Sequence, residues 1–437
     1  MEIHQYNKDF PEDNKTRVLA INADGSINTS SGTQSSEDGT RDSFGRLRVA
    51  QISSQLDLKQ IHDDLPLFYD TQTIGTGSST YTNATASSLL ETSANLDVVI
   101  KQTFQKANYQ SGKGQQILMT FAGFQPETNI EKKVGYFSSS TTTPFSANED
   151  GIYLASYNGV IGFFTIREGT ITNSAFQSQW DDPMNGTGAS GITLDFSKAQ
   201  IMELTYEWLG VGSVVLRFVV DGMYYQAHIF KNANSVSDVY MASPNQPLRY
   251  QIRQSGAGSG SFKQICATVG SEGSINEIGI IQSQDLGSTF VNANSTANTY
   301  ALLGLKLQED KTDAAIDILD FNILALTSSN LLWKVLLNPT VAGTFNYTDV
   351  SNSVMMKATG DVAGSPSATT VTGGTKLASG YVGSGTGSSS ISANASIVNA
   401  LRLGMSIAGV QDEIVLCVQP LDANADVTAS INWRERT

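Results

Sequence analysis

The sequence predicts an all-β fold, an antiparallel β-sandwich of the jelly-roll or lectin-like type. Short runs rich in β-branched and aromatic residues recur along the chain, and Gly, Asn and Asp turn signals separate them. No long segment repeats its apolar residues at the 3.6-residue spacing of an amphipathic helix. We therefore expect a sandwich body with an extended N-terminal arm and a smaller C-terminal β domain.

The composition argues against several functional classes. The chain has 437 residues, enough for roughly two to three domains, and only 16% of them are charged, against about 25% in an average soluble protein. The formal net charge of −14 argues against nucleic acid as the main partner, because phosphate binding requires a positive surface. No stretch approaches the ~20 apolar residues of a membrane span, and the N-terminus lacks the apolar core of a secretory signal. We expect a soluble protein that folds where it is made, without membrane insertion.

The beginning of the chain is a predicted anchoring arm. Apart from residues 17–22 it holds few apolar side chains, and residues 29–40 are Ser, Thr, Gly, Gln and acidic residues that cannot form a core. We predict three units: an extended anchoring arm over residues 1–60, a main β-sandwich over 61–329 and a C-terminal β domain over 330–437.

Two hairpins give the clearest strand signals. An Asn-Gly pair at 158–159 joins two β-rich runs, and an Asp-Gly pair at 221–222 joins two more. Both pairs suit the positive φ angles of a two-residue hairpin turn. In the last strand of the second hairpin, strict alternation places Tyr224 and Phe230 on one face and Tyr225 on the other.

The end of the chain supplies the strands of the predicted C-terminal domain. Residues 331–337, 413–419 and 427–433 are dense apolar runs. A Gly/Ser/Thr tract at 360–390 has the composition of a linker, and one short helix is predicted around residues 396–403.

No residue pattern predicts a catalytic, metal or cofactor site. The chain has only three histidines, and although His62 beside Asp63 could act as a base, no reactive Ser or Cys accompanies it. Zinc or iron sites need clustered His and Cys, and the sequence shows no such cluster. Glu203 and Glu207 precede Trp208 and leave glycoside hydrolysis open, because the separation of two carboxylates is a three-dimensional property. We predict a protein that is not an enzyme and uses no cofactor.

Two further groups have structural interpretations. Cys266 and Cys417 are far apart in sequence and each lies beside apolar residues, so we interpret them as buried free thiols. The sequence leaves open whether they are near each other. The Asp-Asp-Pro run at 181–183 could bind calcium, but it lacks EF-hand spacing and we interpret it as a turn.

Three aromatic residues are candidates for a glycan-facing surface. Trp208, Tyr224 and Tyr225 lie on or beside predicted strands, and aromatic rings stack on the apolar faces of sugars through their own apolar surfaces. Sandwich cores use the same residue types for packing. Both interpretations therefore remain open.

One stretch in the later part of the predicted arm, residues 41–50, combines charge with an aromatic residue. It reads R-D-S-F-G-R-L-R-V-A, in a chain otherwise poor in charge. A basic, glycine-jointed connector is typical of an attachment point rather than of a catalytic loop. We expect Arg41, Arg46 and Arg48 to pair with carboxylates of a neighbour or of the chain itself. Phe44 would enter an apolar pocket, and Gly45 would supply the bend.

The same stretch carries a resemblance to a known family. Ser43-Phe-Gly-Arg-Leu-Arg-Val49, followed by Lys59-Gln-Ile61 and Leu65-Pro-Leu-Phe68, resembles the opening of virion structural proteins from tailed bacteriophages. In that family an "AFGRLRVS" phrase precedes a "D-x-K-x-x-x-D-x-x-P-x-x-(W/F/Y)" phrase; here Ser43 stands where Ala is commoner. Later phrases that look like the same family lie at residues 207–214, 218–222, 239–250 and 430–435.

The resemblance extends from about residue 40 to the end of the chain. It implies a non-enzymatic virion protein with a β-sandwich body, located in the virion, with other virion proteins as its partners. It leaves open whether the protein belongs to the capsid, as a head fibre or decoration protein, or to the tail. We expect an anchored, projecting homotrimer. The alternative is a carbohydrate-binding receptor-recognition protein of a tail fibre, with host surface glycans as its ligands. A third hypothesis is a virion-associated glycan hydrolase.

Overall fold

A computed structural model describes residues 41–145, 147–276, 278–383, 389–392, 403–422 and 424–436. The predicted arm before Arg41, including its apolar run, lies outside these residues. The helix predicted around 396–403 also lies outside them, apart from Leu403. No α-helix occurs in the described ranges, so the all-β prediction is confirmed.

The strands fall into two series along the chain. The first series is β1 (Ile52–Lys59), β2 (Tyr69–Ile74), β3 (Ser78–Thr82), β4 (Ser87–Thr92), β5 (Val98–Thr103), β6 (Gln115–Ala122), β7 (Ile130–Ser138), β8 (Asp150–Tyr157), β9 (Val160–Arg167), β10 (Thr170–Phe176), β11 (Gln200–Tyr206), β12 (Val214–Val220), β13 (Met223–Phe230), β14 (Leu248–Gln254) and β15 (Gly260–Glu272). Short 3-10 turns at Asn83–Thr85 and Gln177–Gln179 interrupt it.

The second series begins after residue 279. It consists of β16 (Ile280–Asp285), β17 (Val291–Ala293), β18 (Thr299–Leu307), β19 (Ala315–Ala325), β20 (Leu331–Leu337), β21 (Thr340–Val341), β22 (Thr348–Asp349), β23 (Met355–Thr359), β24 (Thr370–Thr372), β25 (Thr375–Val382), β26 (Ser389–Ser392), β27 (Glu413–Pro420) and β28 (Ala425–Arg436).

The first series forms two antiparallel sheets. Sheet I has the order β13-β12-β11-β6-β15-β4-β3, and β1 also pairs with β15. Sheet II has the order β10-β9-β8-β7-β14-β5-β2. One apolar core lies between them, with Met202 and Leu204 from sheet I and Val134 and Ile252 from sheet II. These sheets therefore make a β-sandwich, as the sequence predicts.

The second series forms another pair of sheets. Sheet III has the order β16-β28-β19-β26 with β17 beside β28, and sheet IV has the order β21-β24-β18-β27-β20-β25 with β22 and β23 attached. A second core lies between them and includes Ile318, Trp433, Leu303 and Leu416. Along β28, buried and half-buried residues alternate strictly, which is the pattern of a strand with one face in a core.

Strand pairing groups the chain differently from the predicted domain boundaries. Residues 280–325, assigned from sequence to the main sandwich, pair with strands that follow residue 330. Residues 52–59, assigned to the arm, form β1 in sheet I, and Leu56 and Leu58 are buried in the first core. Sequence patterning identifies strands but does not identify their partners, which can be more than a hundred residues away.

The predicted hairpins are confirmed, with one correction. Asn158 and Asp221 both have positive φ angles, as two-residue turns require. A β-bulge in β13, however, shifts its pairing with β12 between Leu216 and Arg217. Tyr225 and Phe230 therefore both pack on the first core, although strict alternation placed them on opposite faces.

The two sandwiches contact each other through the loop after residue 403. The Met405 amide donates to the Phe104 carbonyl at 2.9 Å, and the Ile407 amide donates to Asp70 Oδ2 at 2.7 Å. Ile407 also packs against Val98 and Ile100 on the outer face of sheet II. Among the described residues, no helix is long and apolar enough to cross a membrane.

Candidate functional site

Residues 41–49, called the docking loop below, form a compact turn built around Asp42. The Asp42 Oδ1 atom accepts hydrogen bonds from the amides of Phe44 at 2.9 Å and Arg46 at 2.8 Å. The Asp42 amide donates to the Arg46 carbonyl at 2.9 Å. Gly45 has a φ of +76°, a conformation that glycine adopts without strain. The predicted bend at Gly45 is therefore present.

Two arginines of the docking loop pair with carboxylates on or beside sheet I, and the third, Arg41, donates through Nη1 to the Gly45 carbonyl at 2.7 Å. Arg46 Nη2 lies 2.5 Å from Glu207 Oε2. Arg48 lies 2.8 Å from both Glu203 Oε1 and Glu272 Oε1, through Nη1 and Nε respectively. The sequence left open whether these arginines would pair within the chain or with a neighbour, and the described contacts are within the chain.

Beneath the loop, a second arginine completes a buried cluster. Arg217 Nη1 lies 3.0 Å from Glu203 Oε2, and its Nη2 donates to the Arg41 carbonyl at 3.1 Å. Gln116 Nε2 donates to Glu203 Oε1 at 2.5 Å. Glu203 and Arg217 are direct partners across β11 and β12 and are almost completely buried. Arg48, Arg217, Glu203 and Glu272 are called the ion network below.

The ion network occupies the outer face of sheet I. Met202 and Leu204 flank Glu203 on β11 and point into the first core, so Glu203 points away from it. An outer face of a sandwich is usually solvated, whereas here the docking loop covers the part around Glu203. Covering this face allows charged side chains to be buried without crossing the apolar core.

The electrostatics of the carboxylates reflect their partners. Burial acts to raise the pKa of Glu203, but the charges of Arg217 and Arg48 hold it below its ordinary value. Burial raises the pKa of Glu207, and Arg46 opposes that effect. Burial likewise raises the pKa of Glu272, with Arg48 acting against it. Glu203 is therefore the most firmly ionised carboxylate of the three.

Glu203 and Glu207, considered from sequence as hydrolytic carboxylates, are both engaged by arginines. Glu203 accepts from Arg48, Arg217 and Gln116, and Glu207 pairs with Arg46. A general acid must hold a proton near neutral pH; the lowered pKa of Glu203 works against that role, whereas the raised pKa of Glu207 does not. Both carboxylates are held by arginines of the docking loop, an arrangement that fixes this loop to the body.

Phe44 is not enclosed by a pocket, unlike the sequence expectation. Its side chain remains 44% exposed, and the Arg46 guanidinium lies 5.7 Å from its ring centroid. It borders an open groove of about 490 Å³, called the Phe44 groove below. The groove is lined by Ser43, Phe44, Gly45, Leu209, Val211, Gly212, Ser213, Ile229, Lys231 and Ala233.

The three candidate glycan-facing aromatics do not share one exposed surface. Tyr224 and Tyr225 are successive residues of β13 and point to opposite faces. Tyr225 and Trp208 pack against the first core, and the Trp208 indole donates to the Met241 carbonyl at 3.0 Å. Burial raises the pKa of Tyr224, which lies beside Glu203 of the ion network. Their role in glycan binding stays a prediction.

The remaining candidates have structural contacts. His228 Nδ1 lies 3.2 Å from Asp181 Oδ2, and burial lowers the pKa of this histidine. His62 is exposed. Both cysteines are free; Cys417 is buried as predicted, whereas Cys266 is half-buried. Within the described ranges, no group of three His, Cys, Asp or Glu side chains could hold a metal ion.

Sequence reasoning identified the loop arginines but missed several of their partners. Glu272, Gln116 and Thr205 were not singled out, although Thr205 Oγ1 accepts from Arg48 at 2.8 Å. One signal was available. Arg217 stands inside an apolar strand, and a charged residue there is uncommon unless it is paired.

Comparisons with known proteins bear on the fold only. No protein-family model and no curated protein matches this chain. Among solved structures, the carbohydrate recognition domain of Emp47p is 13% identical with a TM-score of 0.33, covering 51% of this chain and 98% of that one. A legume lectin-like domain from Entamoeba histolytica is 8% identical with a TM-score of 0.32, covering 50% and 98%.

An enzyme is also among the similar structures. The endo-beta-1,4-glucuronan lyase from the fungus Trichoderma reesei is 11% identical, with a TM-score of 0.34, and covers 50% of this chain and 95% of that one. The structural neighbours are mostly lectin-like domains, and their likeness to this chain is weak. Because one fold hosts many activities, this likeness assigns no ligand or reaction to the chain.

Proposed function

We propose that this chain is a non-enzymatic structural component of a tailed-bacteriophage virion. In this proposal, the residues before Arg41 attach it to other virion proteins, and the sandwiches project from the particle as a head fibre, decoration protein or tail-associated protein. A homotrimer is part of the proposal. The capsid and the tail remain alternative locations.

One observation supports the proposal above the others. The docking loop carries the family-like phrase, and its Arg48 is fixed to Glu203 and Glu272 on sheet I. Residues 41–49, which directly follow residues 1–40 in the sequence, are therefore held at a defined place on sheet I. A projecting protein needs such a rigid connection, because the orientation of the body is otherwise not transmitted to its anchor.

Deletion of residues 1–40 tests the proposal. In a phage that encodes this chain, we expect the truncated protein to fold but to be missing from purified particles, as measured by immunoblotting against the full-length protein. A matched control keeps the full length of the chain and replaces Ser43 with Ala, the commoner residue in the family. We expect this control to be incorporated normally. Incorporation of the truncated chain at the level of the full-length chain would refute anchoring through residues 1–40.

Glycan binding is the second candidate, favoured by a different cleft. A cleft of about 420 Å³ is lined by Phe176, Val160, Gln177, Asn185 and Asp195 together with seven other residues. The Phe176 side chain is 43% exposed. An exposed ring beside amide and carboxylate groups suits a sugar, which presents both an apolar face and hydroxyl groups.

A glycan array compares the two possible locations of a sugar site. If the cleft binds glycans, Phe176→Ala should abolish the array signal of the purified full chain, while Trp208→Phe should leave it unchanged. Loss of signal in Trp208→Phe alone would favour the aromatics predicted from sequence. An array without any signal for the unmodified chain would argue against this second candidate.

A further inference from the structure

The Phe44 groove presents apolar side chains on a rigid base. Leu209 is 50% exposed, and its φ of +36° is a left-handed conformation that is unfavourable for a branched side chain. The surrounding loop is held by hydrogen bonds: the Gly212 amide donates to the Trp208 carbonyl at 2.7 Å, and Asn232 Nδ2 donates to the Gly212 carbonyl at 2.7 Å. Leu209 is therefore kept outward and does not collapse onto the core.

Exposed apolar groups on a rigid, strained loop indicate a binding surface. Positions held in sparsely populated backbone conformations concentrate at functional sites, because the surrounding structure must sustain their cost. The groove volume of about 490 Å³ lies in the range of roughly 300–1,000 Å³ found for binding pockets. Phe44, also exposed, supplies the wall on the side of the docking loop.

The length and start of the described chain point to the occupant. Arg41, the first residue that the structure describes, lies two positions before Ser43, and Ser43 lines the groove. The densest apolar run among the preceding 40 residues is Val18-Leu-Ala-Ile21. The 20 residues from Ile21 to Arg41 can span up to about 70 Å, so this run reaches the groove easily. A tether of this kind gives the run an effective concentration at the groove on the order of millimolar. A separate partner of equal affinity would need a higher concentration to displace it.

Charge complementarity supports the same occupant. Lys231 is the charged residue among those lining the groove. Residues 1–40 contain seven acidic and three basic side chains, and Asp24 follows the apolar run by three positions. With the run in the groove, Asp24 could approach the ammonium group of Lys231.

We propose that residues 18–21 bind the Phe44 groove of their own chain in the free protein. In an extended segment Leu19 and Ile21 lie on the same face, and in this proposal that face meets Leu209 and Val211. Docking covers two apolar surfaces at once and so limits self-association of the free chain. This inference concerns the isolated chain and does not depend on the proposed virion role, so either can fail alone.

Disulfide trapping tests the proposal on the full chain. In a Cys266→Ser background, Ala23→Cys, on the same face as Leu19 and Ile21, is combined with Ala233→Cys at the groove, and the rate of disulfide formation is measured by non-reducing gel electrophoresis and thiol titration. A matched control combines Ala23→Cys with Ala257→Cys, at the opposite end of sheet I. We expect an intramolecular disulfide at Ala233→Cys that forms at least about tenfold faster than in the control.

Further variants distinguish the possible occupants. Leu19→Asp with Ile21→Asp should reduce cross-linking to the control rate, whereas Ile3→Asp should not. Trypsin should cleave after Arg17 more slowly in the unmodified chain than in the Leu19→Asp, Ile21→Asp variant. A disulfide between two chains would identify a second copy as the occupant and overturn the proposal. Cross-linking at the control rate would overturn it as well.

Discussion

Two neighbouring segments are attached to the same sheet by different interactions. Strand β1 pairs with β15 and buries Leu56 and Leu58 in the first core. The docking loop, only a few residues earlier, is attached by ion pairs from Arg46 and Arg48. Apolar contact is non-directional and tolerates rearrangement, whereas a buried charge must keep its partner. The difference implies that the stability of the docking loop's attachment depends on charge and pH, whereas that of β1 does not.

Removing the central carboxylate of the ion network should have the largest effect. Glu203→Ala leaves Arg217 and Arg48 without their shared partner, and removing one member of a buried ion pair costs about 3–5 kcal/mol. We expect a loss of this size in the free energy of unfolding, measured by urea denaturation with tryptophan fluorescence. Glu91→Ala, an exposed glutamate on sheet I, is the control and should change little. Equal stability of both variants would show that the network does not hold the loop.

Truncating the apolar attachment should cost about as much or slightly less. Leu58 is 1% exposed, and replacing such a leucine with Ala costs about 2–5 kcal/mol because a cavity remains. In contrast to a loss caused by replacing Glu203, this loss should be the same at pH 7 and at pH 4. A strong pH dependence of the Leu58→Ala loss, measured by the same denaturation experiment, would contradict the comparison.

The pH response of Glu203→Gln should isolate the ionic attachment. The pKa of Glu203 is lowered on folding, so its ionisation stabilises the fold above its ordinary value of 4.5, and this stability is lost as pH falls through the folded-state pKa. We expect Glu203→Gln to cost about 1–3 kcal/mol at pH 7 and progressively less below pH 4.5.

The other carboxylates oppose this trend. The raised pKa values of Glu207 and Glu272 mean that their contributions fall as pH rises through the window above 4.5. We therefore compare the free energies of unfolding of Glu203→Gln and of the unmodified chain from pH 7 to pH 4. Subtracting one from the other removes the contributions that both chains share. A difference that grows on acidification would contradict the assigned role of Glu203.

The smallest expected effect concerns the bend of the docking loop. A Cβ atom added at Gly45 would meet no atom within 4 Å, so the cost of Gly45→Ala is that of the left-handed backbone, about 1–2 kcal/mol. Gly45→Asn should cost less, because Asn tolerates this conformation better. Thermal unfolding of the two variants gives the order. Equal losses would indicate that the loop does not require a positive φ at this position.

Local signals in the sequence predicted most strands and both hairpin turns. The Asn-Gly and Asp-Gly turns at 158–159 and 221–222 occur where they were expected, because their positive φ angles depend on neighbouring residues alone. That Phe230 shares the core face with Tyr225 was not predicted, because the bulge in β13 depends on pairing with β12. The glycine-jointed bend at Gly45 was predicted, since glycine favours that conformation by itself.

The sequence by itself determined the all-β class, the turns and the presence of an arginine-rich connector. The tertiary structure alone decided which carboxylates those arginines meet. Arg48 and Glu203 are 155 positions apart, and Arg46 and Glu207 are 161 apart. Period-two patterning fixes which residues share a strand face, but it carries no information on which distant strand or loop covers that face. Burial of an outer sheet face beneath a charged loop is therefore a property of the folded chain.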